Sequence, residues 1–288
     1  MNPSLDTLAA AASPPAAAGL GRLRANLAQY GRALVGYSGG IDSAFLLWAA
    51  TRELGVDRVL GVTGVSPSLS AEQRDVALAQ AAEMGAAHRL IETHEAENAD
   101  YLANNADRCY HCKNELYSRL FEVARAEAYD IVLDGSNLDD TRDIRPGFRA
   151  IRELGVASPL LEAGLAKSEI RELSRLAGLS AWDRPASPCL SSRVPHGTPI
   201  TLSLLSRVER GEAYLKSLVP GAVRLRTRGD EARIEVDPSQ IARLAEPAMR
   251  ADVERELGRL GYAKIIIDPH GYRMGGADLP APSSQLTP

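Results

Sequence analysis

Residues 32–54 read RALVGYSGGIDSAFLLWAATREL, and the order of side chains in this stretch decides the fold class. Arg32 to Tyr37 is an apolar run of strand length. Asp42 to Leu54 sets Phe45, Leu46, Trp48 and Ala49 at the spacing of one buried helical face. Between them Ser38, Gly39, Gly40, Ile41, Asp42 and Ser43 make a tight strand-to-helix turn. Two residues without Cβ atoms let backbone N–H groups converge on an anion. The helix start adds unsatisfied N–H groups and partial positive charge. Ser38 and Ser43 can donate to phosphate oxygens. A carboxylate at Asp42 would repel bare phosphate, so its expected task is to hold a Mg2+ ion bridging to the phosphates.

Outward from this turn, strands and helices alternate. Arg58–Val65 and His88–Ile91 read as strands around a helix over Ser70–Met84, with Ser70 as N-cap, Gln73 completing a capping box and Gly85 ending it. A helix over Lys113–Glu127, a strand at Asp130–Asp134 (DIVLD) and a helix over Lys167–Ala177 follow. This rhythm predicts an α/β domain with a Rossmann-like parallel sheet, whose ligands bind at the carboxyl ends of the strands. The pattern changes after Trp182. Arg184–Pro199 (RPASPCLSSRVPHGTP) holds four prolines and reads as an ordered loop or linker. A helix over Leu202–Leu218, strands at Ala222–Arg228 and Arg233–Val236, a helical region over Ser239–Leu260 broken by Pro247, and a strand at Ala263–Asp268 predict a smaller α+β domain. The expected organisation is a disordered tail at 1–20, a nucleotide domain at 21–185, a substrate or oligomerisation domain at 186–275 and a second disordered tail at 276–288.

Composition narrows the class. The chain has 288 residues and a net charge of -4, so no bulk positive field invites nucleic acid. No apolar run approaches the ~20 residues that span a bilayer, and the Ala- and Pro-rich start lacks the form of a signal peptide. Three cysteines, an odd number without an export signal, point to reactive or metal-binding thiols and a cytoplasmic location rather than a disulfide framework.

A second candidate element, Asp134-Gly135-Ser136-Asn137-Leu138-Asp139-Asp140-Thr141, follows the strand DIVLD. A strand-end Gly135 followed by Asn137 and two carboxylates suits a ribose or phosphate contact and a metal ligand. An Asx-type turn capping the next helix is the plainer reading. Sequence leaves Asp139 and Asp140 interchangeable. The turn at Ser38 has no lysine for a Walker A loop and no third glycine for the dinucleotide fingerprint. It resembles instead the PP-loop (SGGxDS) of the ATP-pyrophosphatase superfamily. That resemblance implies ATP cleaved between its α and β phosphates, with AMP left on the substrate.

Cys189 lies in PASPCLSSR, where proline stiffens the loop and Ser192 and Arg193 stand nearby. A cation beside a thiol favours thiolate, the nucleophilic form, whereas an isolated cysteine is more often a small buried hydrophobe. The PP-loop, the Arg108-Cys109-Tyr110-His111-Cys112-Lys113 segment, GSNLDD from Gly135 and RPASPCLSSRVPHGTPIT from Arg184 together resemble the LarE family. The likeness runs over roughly residues 20 to 275 and implies an adenine nucleotide alpha hydrolase-like PP-loop domain. It also implies ATP-dependent sulfur transfer to pyridinium-3,5-biscarboxylic acid mononucleotide, whose product supplies the nickel-pincer cofactor of lactate racemase. Ser38, Gly39, Gly40, Asp42, Ser43, Gly135 and Asn137 would bind ATP. Some family members sacrifice the sulfur of one cysteine at the Cys189 position; others carry three cysteines that hold a [4Fe-4S] cluster. Cys109, Cys112 and Cys189 resemble the cluster type, and three thiolates leave one iron open for an extra sulfur. A zinc site with His111 as a fourth ligand and a redox pair remain alternatives.

Arg224, Arg226 and Arg228 alternate along one strand and so share a face. With Ser192 and Arg193 they are expected to bind substrate anions, or else to form a solvated face. Asp42, Asp140 and Glu212 are the magnesium candidates, and Asp237 is a candidate to bind metal or order the arginines. The resemblance also implies a homo-oligomer. Rival readings are a tRNA thiolase, a synthetase passing its adenylate to ammonia, and a nucleotide-binding module without chemistry. The acidic chain, with 5% aromatic residues, argues against a polynucleotide surface, and the thiols would be idle in the other two.

Overall fold

The computed structural model describes residues 3–142, 146–185 and 187–273. The chain divides into two compact units, residues 1–101 with 107–187, and residues 102–106 with 188–288. In the first unit α1 (Leu5–Ala11) and α2 (Pro14–Leu27) precede β1 (Ala33–Gly36) and α3 (Ile41–Leu54). Then come β2 (Val59–Val65), α4 (Ala71–Met84), β3 (Ala87–Glu92), the one-turn α5 (Ala99–Leu102) and α6 (Arg108–Ala126). β4 (Ile131–Leu133), α7 (Pro146–Glu153), α8 (Pro159–Glu162) and α9 (Lys167–Leu176) complete it.

The four strands form one parallel sheet in the order β3-β2-β1-β4. Sheets of this kind are covered on both faces, so their strands are apolar throughout. Ala33 and Val35 of β1 enter one core with Phe45 and Trp48 of α3 and Leu20, Leu23 and Leu27 of α2. Leu34 enters the opposite core with Tyr117 and Leu120 of α6 and Ile151 of α7. The chain runs from β1 outward to β2 and β3, then returns to place β4 on the other side of β1. That reversal opens a crevice beyond the carboxyl ends of β1 and β4, where ligands of such sheets bind.

The tail expected to be disordered at 1–20 instead holds α1 (Leu5–Ala11) and the start of α2 among its described residues. Ser4 caps α1 by accepting from Thr7 N–H at 3.1 Å, and Pro14 starts α2 just after Ser13. The N–H and hydroxyl of Ser13 donate to Glu172 of α9 at 2.6 and 2.8 Å. Alanine-rich composition suggested a loose segment, but leucines three and four apart give it an apolar stripe to bury. Two other expectations change. The capping box of α4 is half formed: Ser70 Oγ accepts from Gln73 N–H at 3.2 Å, while the Gln73 amide turns to the Ser187 carbonyl. The α6 helix begins at Arg108 rather than Lys113, so the Cys109–Cys112 pair is helical and not part of a loop. The tail expected at 276–288 lies outside the described residues.

The second unit contains α10 (Leu202–Leu218), β5 (Val223–Arg228), β6 (Glu231–Val236), α11 (Ile241–Ala245), α12 (Pro247–Arg259) and β7 (Lys264–Ile267). β5 and β6 form an antiparallel hairpin, and β7 runs parallel to β6. Val223, Leu225, Ile234 and Val236 face a core with Leu215 and Leu257. Residues 102–106 belong to this unit because the buried Asn104 amide donates to the carbonyls of Pro195 and Thr198, both at 2.8 Å.

Candidate functional site

The strand-to-helix turn sits where the sequence expectation put it. Gly39 has φ +73°, a left-handed conformation, and a Cβ there would come within 3.2 Å of Ala77 Cβ on α4. A side chain there would be strained by the dihedral and crowded against α4. Ser38 N–H donates to Ser43 Oγ at 3.2 Å, Gly40 N–H to Ser38 Oγ at 3.3 Å, and Ser43 Oγ to the Gly40 carbonyl at 3.1 Å. These polar groups, which could turn to an anion, are tied to one another.

Gly135 brings the second element against the first. A Cβ on Gly135 would lie 2.9 Å from Ser43 N and 3.1 Å from Ser43 Cα, so the strand end packs directly on the backbone of the first turn of α3. Backbone cannot yield as a flexible side chain can. Gly135→Ala is expected to destabilise the protein by roughly 1–3 kcal/mol, the usual cost of overpacking. It should also weaken nucleotide binding, and a thermal shift measured with and without Mg·ATP would read both effects.

The two neighbouring carboxylates divide their roles. Asp139 Oδ2 accepts Lys167 N–H at 2.8 Å and so caps α9. Asp140 Oδ2 accepts Asn137 N–H at 3.1 Å, and Asp140 lines the crevice beside Asp42. Asp42 is the strained group of the site. Its Oδ1 is buried with no hydrogen-bond partner. Burial pushes its pKa up to about 6, opposed by the positive charge of Lys167 and reinforced by the nearby Asp140; Arg171 and the Asn137 amide oppose it more weakly. Asn137 is fully buried, and its Nδ2 completes no hydrogen bond. Two carboxylates and an unsatisfied oxygen fit a magnesium ion, which takes one or two protein carboxylates and completes its shell with phosphates and water.

A cavity of about 460 Å³ opens over this turn, a size ordinary for a small-molecule site. Ser38, Gly40, Asp42, Ser43, Gly135 and Asp140 line it, and so do Cys109 and Lys113 of α6. Lys113 was missed at the sequence level. The signal was its position one helical turn beyond Cys109, which only becomes visible once the helix is known to start at Arg108. Its Nζ stands 5.2 Å from the centre of the Tyr117 ring. Cys109 and Cys112, three residues apart, share a helical face, which fits two thiol ligands of one group. His111, weighed as a zinc ligand, has its Nε2 3.4 Å from Asp107 Oδ2. Among the described residues, no three or more His, Cys, Asp or Glu side chains gather as a ready-made metal site.

In the second unit Cys189 opens a short 3-10 turn, Leu190–Arg193. Ser192 N–H and Oγ both donate to the Cys189 carbonyl, at 3.0 and 2.8 Å. Arg193 is almost fully buried; one terminal nitrogen donates to the carbonyls of Pro188 (2.5 Å) and Cys189 (2.9 Å), and its other two nitrogens grip Glu212 at 2.8 and 3.0 Å. Glu212 also accepts Leu225 N–H at 3.0 Å. Both its oxygens are thus spent on internal partners, which removes it from the magnesium candidates. Asp237, the other acidic candidate of this region, caps the turn after β6 by accepting Ser239 N–H at 3.0 Å.

The arginine face of β5 is not a solvated one. Arg224 and Arg226 are buried and only Arg228 is exposed. Arg226 donates to Glu235 at 3.0 Å and to the Ser192 carbonyl at 2.9 Å. Arg224 lies over the Tyr272 ring at 5.0 Å, and burial, then repulsion by Arg193, lowers its pKa. Among the described residues of this unit, four buried guanidiniums, of Arg193, Arg224, Arg226 and Arg233, stand with three buried carboxylates, of Glu212, Glu235 and Asp268.

No family model matches the sequence. Individual relatives do. The chain is 43% identical over 256 residues to the uncharacterized protein slr1717 of Synechocystis sp., covering 89% of this chain and 95% of that one. It is 37% identical over 245 residues to the pyridinium-3,5-bisthiocarboxylic acid mononucleotide synthase of Lactiplantibacillus plantarum, covering 85% and 88%. It is 26% identical over 240 residues to the uncharacterized protein MJ0830 of Methanocaldococcus jannaschii, covering 83% and 90%. Identity of this extent to the synthase, over a parallel sheet that carries the SGGxDS turn, makes the chain a member of the LarE family, a sulfur-transferring enzyme with a PP-loop domain.

Proposed function

We propose that this enzyme adenylates the carboxylates of pyridinium-3,5-biscarboxylic acid mononucleotide and converts them to thiocarboxylates. A substrate carboxylate oxygen attacks the α-phosphorus of ATP, and pyrophosphate leaves. A sulfur nucleophile then attacks the acyl carbon, and AMP departs with the former carboxylate oxygen. One oxygen is exchanged for one sulfur per ATP. Ser38, Gly39, Gly40 and Ser43 receive the departing phosphates on backbone N–H and hydroxyl groups, and Gly135 and Asn137 border the nucleotide. Asp42 and Asp140 would hold Mg2+, which supplies charge neutralisation at the phosphates. Arg224 and Arg226, with Ser192, take the substrate phosphate and carboxylates, while Arg193, whose guanidinium is spent on Glu212 and on the Pro188 and Cys189 carbonyls, supports the Cys189 turn. The observation that carries this reading is the cavity that Cys109 shares with Asp42 and the anion-binding turn.

For the sulfur source we infer a [4Fe-4S] cluster on Cys109, Cys112 and Cys189; when bound, its fourth iron supplies a site for an exchangeable sulfide. Cys189 is a free, part-exposed cysteine, which supports a second reading in which it gives up its own sulfur. The resemblance also extends the proposal to a homo-oligomer, which sedimentation would test.

The deciding assay is ATP-dependent pyrophosphate release by anaerobically purified protein. It should be stimulated by the pyridinium acid and not by tRNA or ammonia; stimulation by either of those overturns the reading. Cys189→Ser is expected to keep pyrophosphate release while losing thiocarboxylate formation. A broad visible absorption that disappears in Cys112→Ser would mark the cluster. Its absence from both proteins, with the wild-type chain lighter by one hydrogen sulfide after turnover, would mark the sacrificial route.

A further inference from the structure

The turn that carries Ser38 is held by side chains that the proposed reaction leaves unused, one of which, Thr63, also borders the cavity. The Tyr37 carbonyl, at the end of β1, accepts a hydrogen bond from Thr63 Oγ1 of β2 at 2.5 Å. The same hydroxyl oxygen lies 2.9 Å from Nε2 of His88 on β3. A hydroxyl has one proton, and two bare oxygens do not approach to 2.5 Å, so that proton points at the carbonyl. Thr63 Oγ1 must then accept from His88. The ring is thereby assigned as the tautomer protonated on Nε2. Burial lowers the His88 pKa, in keeping with a neutral imidazole. The Tyr37 ring meets the imidazole edge-on, with centroids 5.3 Å apart, and its hydroxyl donates to Gln80 Oε1 of α4 at 3.0 Å.

The Tyr37 carbonyl and the Ser38 N–H belong to one rigid peptide plane. Thr63 fixes the oxygen end, and the N–H end reaches Ser43 Oγ at 3.2 Å. The tilt of this plane sets where Ser38 N–H points, and hence whether it can meet a phosphate oxygen in the cavity. The last ladder bond of this strand toward β2, from Tyr37 N–H to the Val62 carbonyl at 2.8 Å, lies on the preceding peptide and leaves the tilt of this plane to its side-chain contacts.

We propose that Thr63 and His88 are positioning residues for the anion-binding turn. The chain from His88 Nε2–H through the Thr63 hydroxyl to the Tyr37 carbonyl holds the Tyr37–Ser38 peptide in the orientation that receives polyphosphate. The inference rests on the reading of Ser38–Ser43 as the ATP phosphate site.

The test is calorimetric binding of Mg·ATP and, separately, of adenosine, which has no phosphate to be received. Thr63→Val keeps the shape and removes the hydroxyl. It should weaken Mg·ATP by roughly tenfold, about one hydrogen bond's worth, and leave adenosine unchanged. Thr63→Ser should bind Mg·ATP within about twofold of wild type, since it keeps the donor. His88→Leu should follow Thr63→Val, whereas His88→Gln, whose amide N–H can stand in for Nε2–H, should not. Equal Mg·ATP affinity in Thr63→Val and wild type would overturn the proposal. Equal loss of ATP and adenosine would do so as well, since that marks general disorder of the fold. If Thr63→Val does not fold, the two His88 variants make the same comparison, and identical affinities in them are the overturning result. Failure of wild type itself to bind Mg·ATP would instead fell the nucleotide reading, and this inference with it.

Discussion

Asp42→Asn is expected to stabilise the nucleotide-free protein and to abolish most of the proposed adenylating activity. The Asp42 carboxyl has a folded-state pKa of about 6, above its ordinary 3.8, chiefly because burial disfavours the charge. A group whose pKa rises on folding binds its proton more tightly in the native state. The charge therefore destabilises the fold fully above about pH 6, and the penalty disappears as pH falls through 6 towards 4. Asparagine has a similar shape and no charge to bury. A shift of this size corresponds to a gain of up to about 3 kcal/mol at pH 7.5, read as a higher denaturant midpoint for the mutant. At pH 4 the gain should vanish. Function runs the other way. In the proposed mechanism, loss of the metal-holding carboxylate would remove several kcal/mol of transition-state stabilisation, a fall of roughly 10²–10³-fold in pyrophosphate release. Wild-type affinity for Mg·ATP should climb between pH 5 and 6.5 and then level off, while the mutant stays flat. A mutant no more stable than wild type at pH 7.5 would show that the buried oxygen carries no penalty.

Breaking the Arg193–Glu212 pair is expected to be the most damaging single change in the second unit. Glu212→Ala leaves the buried Arg193 guanidinium without its carboxylate and strips the Leu225 N–H of its acceptor. An uncompensated buried charge costs about 3–5 kcal/mol. Arg193 is also the clamp on the carbonyls of Pro188 and Cys189, so a loosened guanidinium should free the turn that presents the thiol. Alkylation of Cys189, followed by peptide mass, should be faster in Glu212→Ala than in wild type. The double change Arg193→Met with Glu212→Leu removes both charges together and should recover much of the lost stability, because apolar replacements of a whole buried pair are often neutral. It should not restore sulfur transfer, since the Arg193 clamp is gone and Ser192 alone then holds the Cys189 carbonyl. If the single mutant costs less than about 1 kcal/mol, the pair behaves like a surface bridge and the clamp does not exist.

How much was legible beforehand depended on whether the controlling interactions were local. The sheet, its helices and the SGGxDS turn could be read because apolar period, glycine placement and capping lie within a few residues of one another. The start of α6 could not. The residues from Arg108 to Cys112 have no apolar stripe of their own, and the helix there rests on the rest of α6 and on packing against α7. The N-terminal helices were misjudged for a related reason. Alanine-rich composition masks the leucine spacing, and the buried partner that rewards that spacing, α9, lies more than a hundred residues away.

By itself, the sequence determined a parallel α/β sheet with an SGGxDS turn after its first strand, and a second α+β unit. Those features follow from backbone geometry and short-range pattern. Only the tertiary structure decided that Asp140 and not Asp139 joins Asp42 at the cavity, that Lys113 lines it, and that Glu212 is consumed by Arg193. Charged side chains look alike along a chain. Whether one is spent on a buried partner or left for a ligand depends on which groups folding brings within about 3 Å of it, and that distance is set by residues far away in sequence.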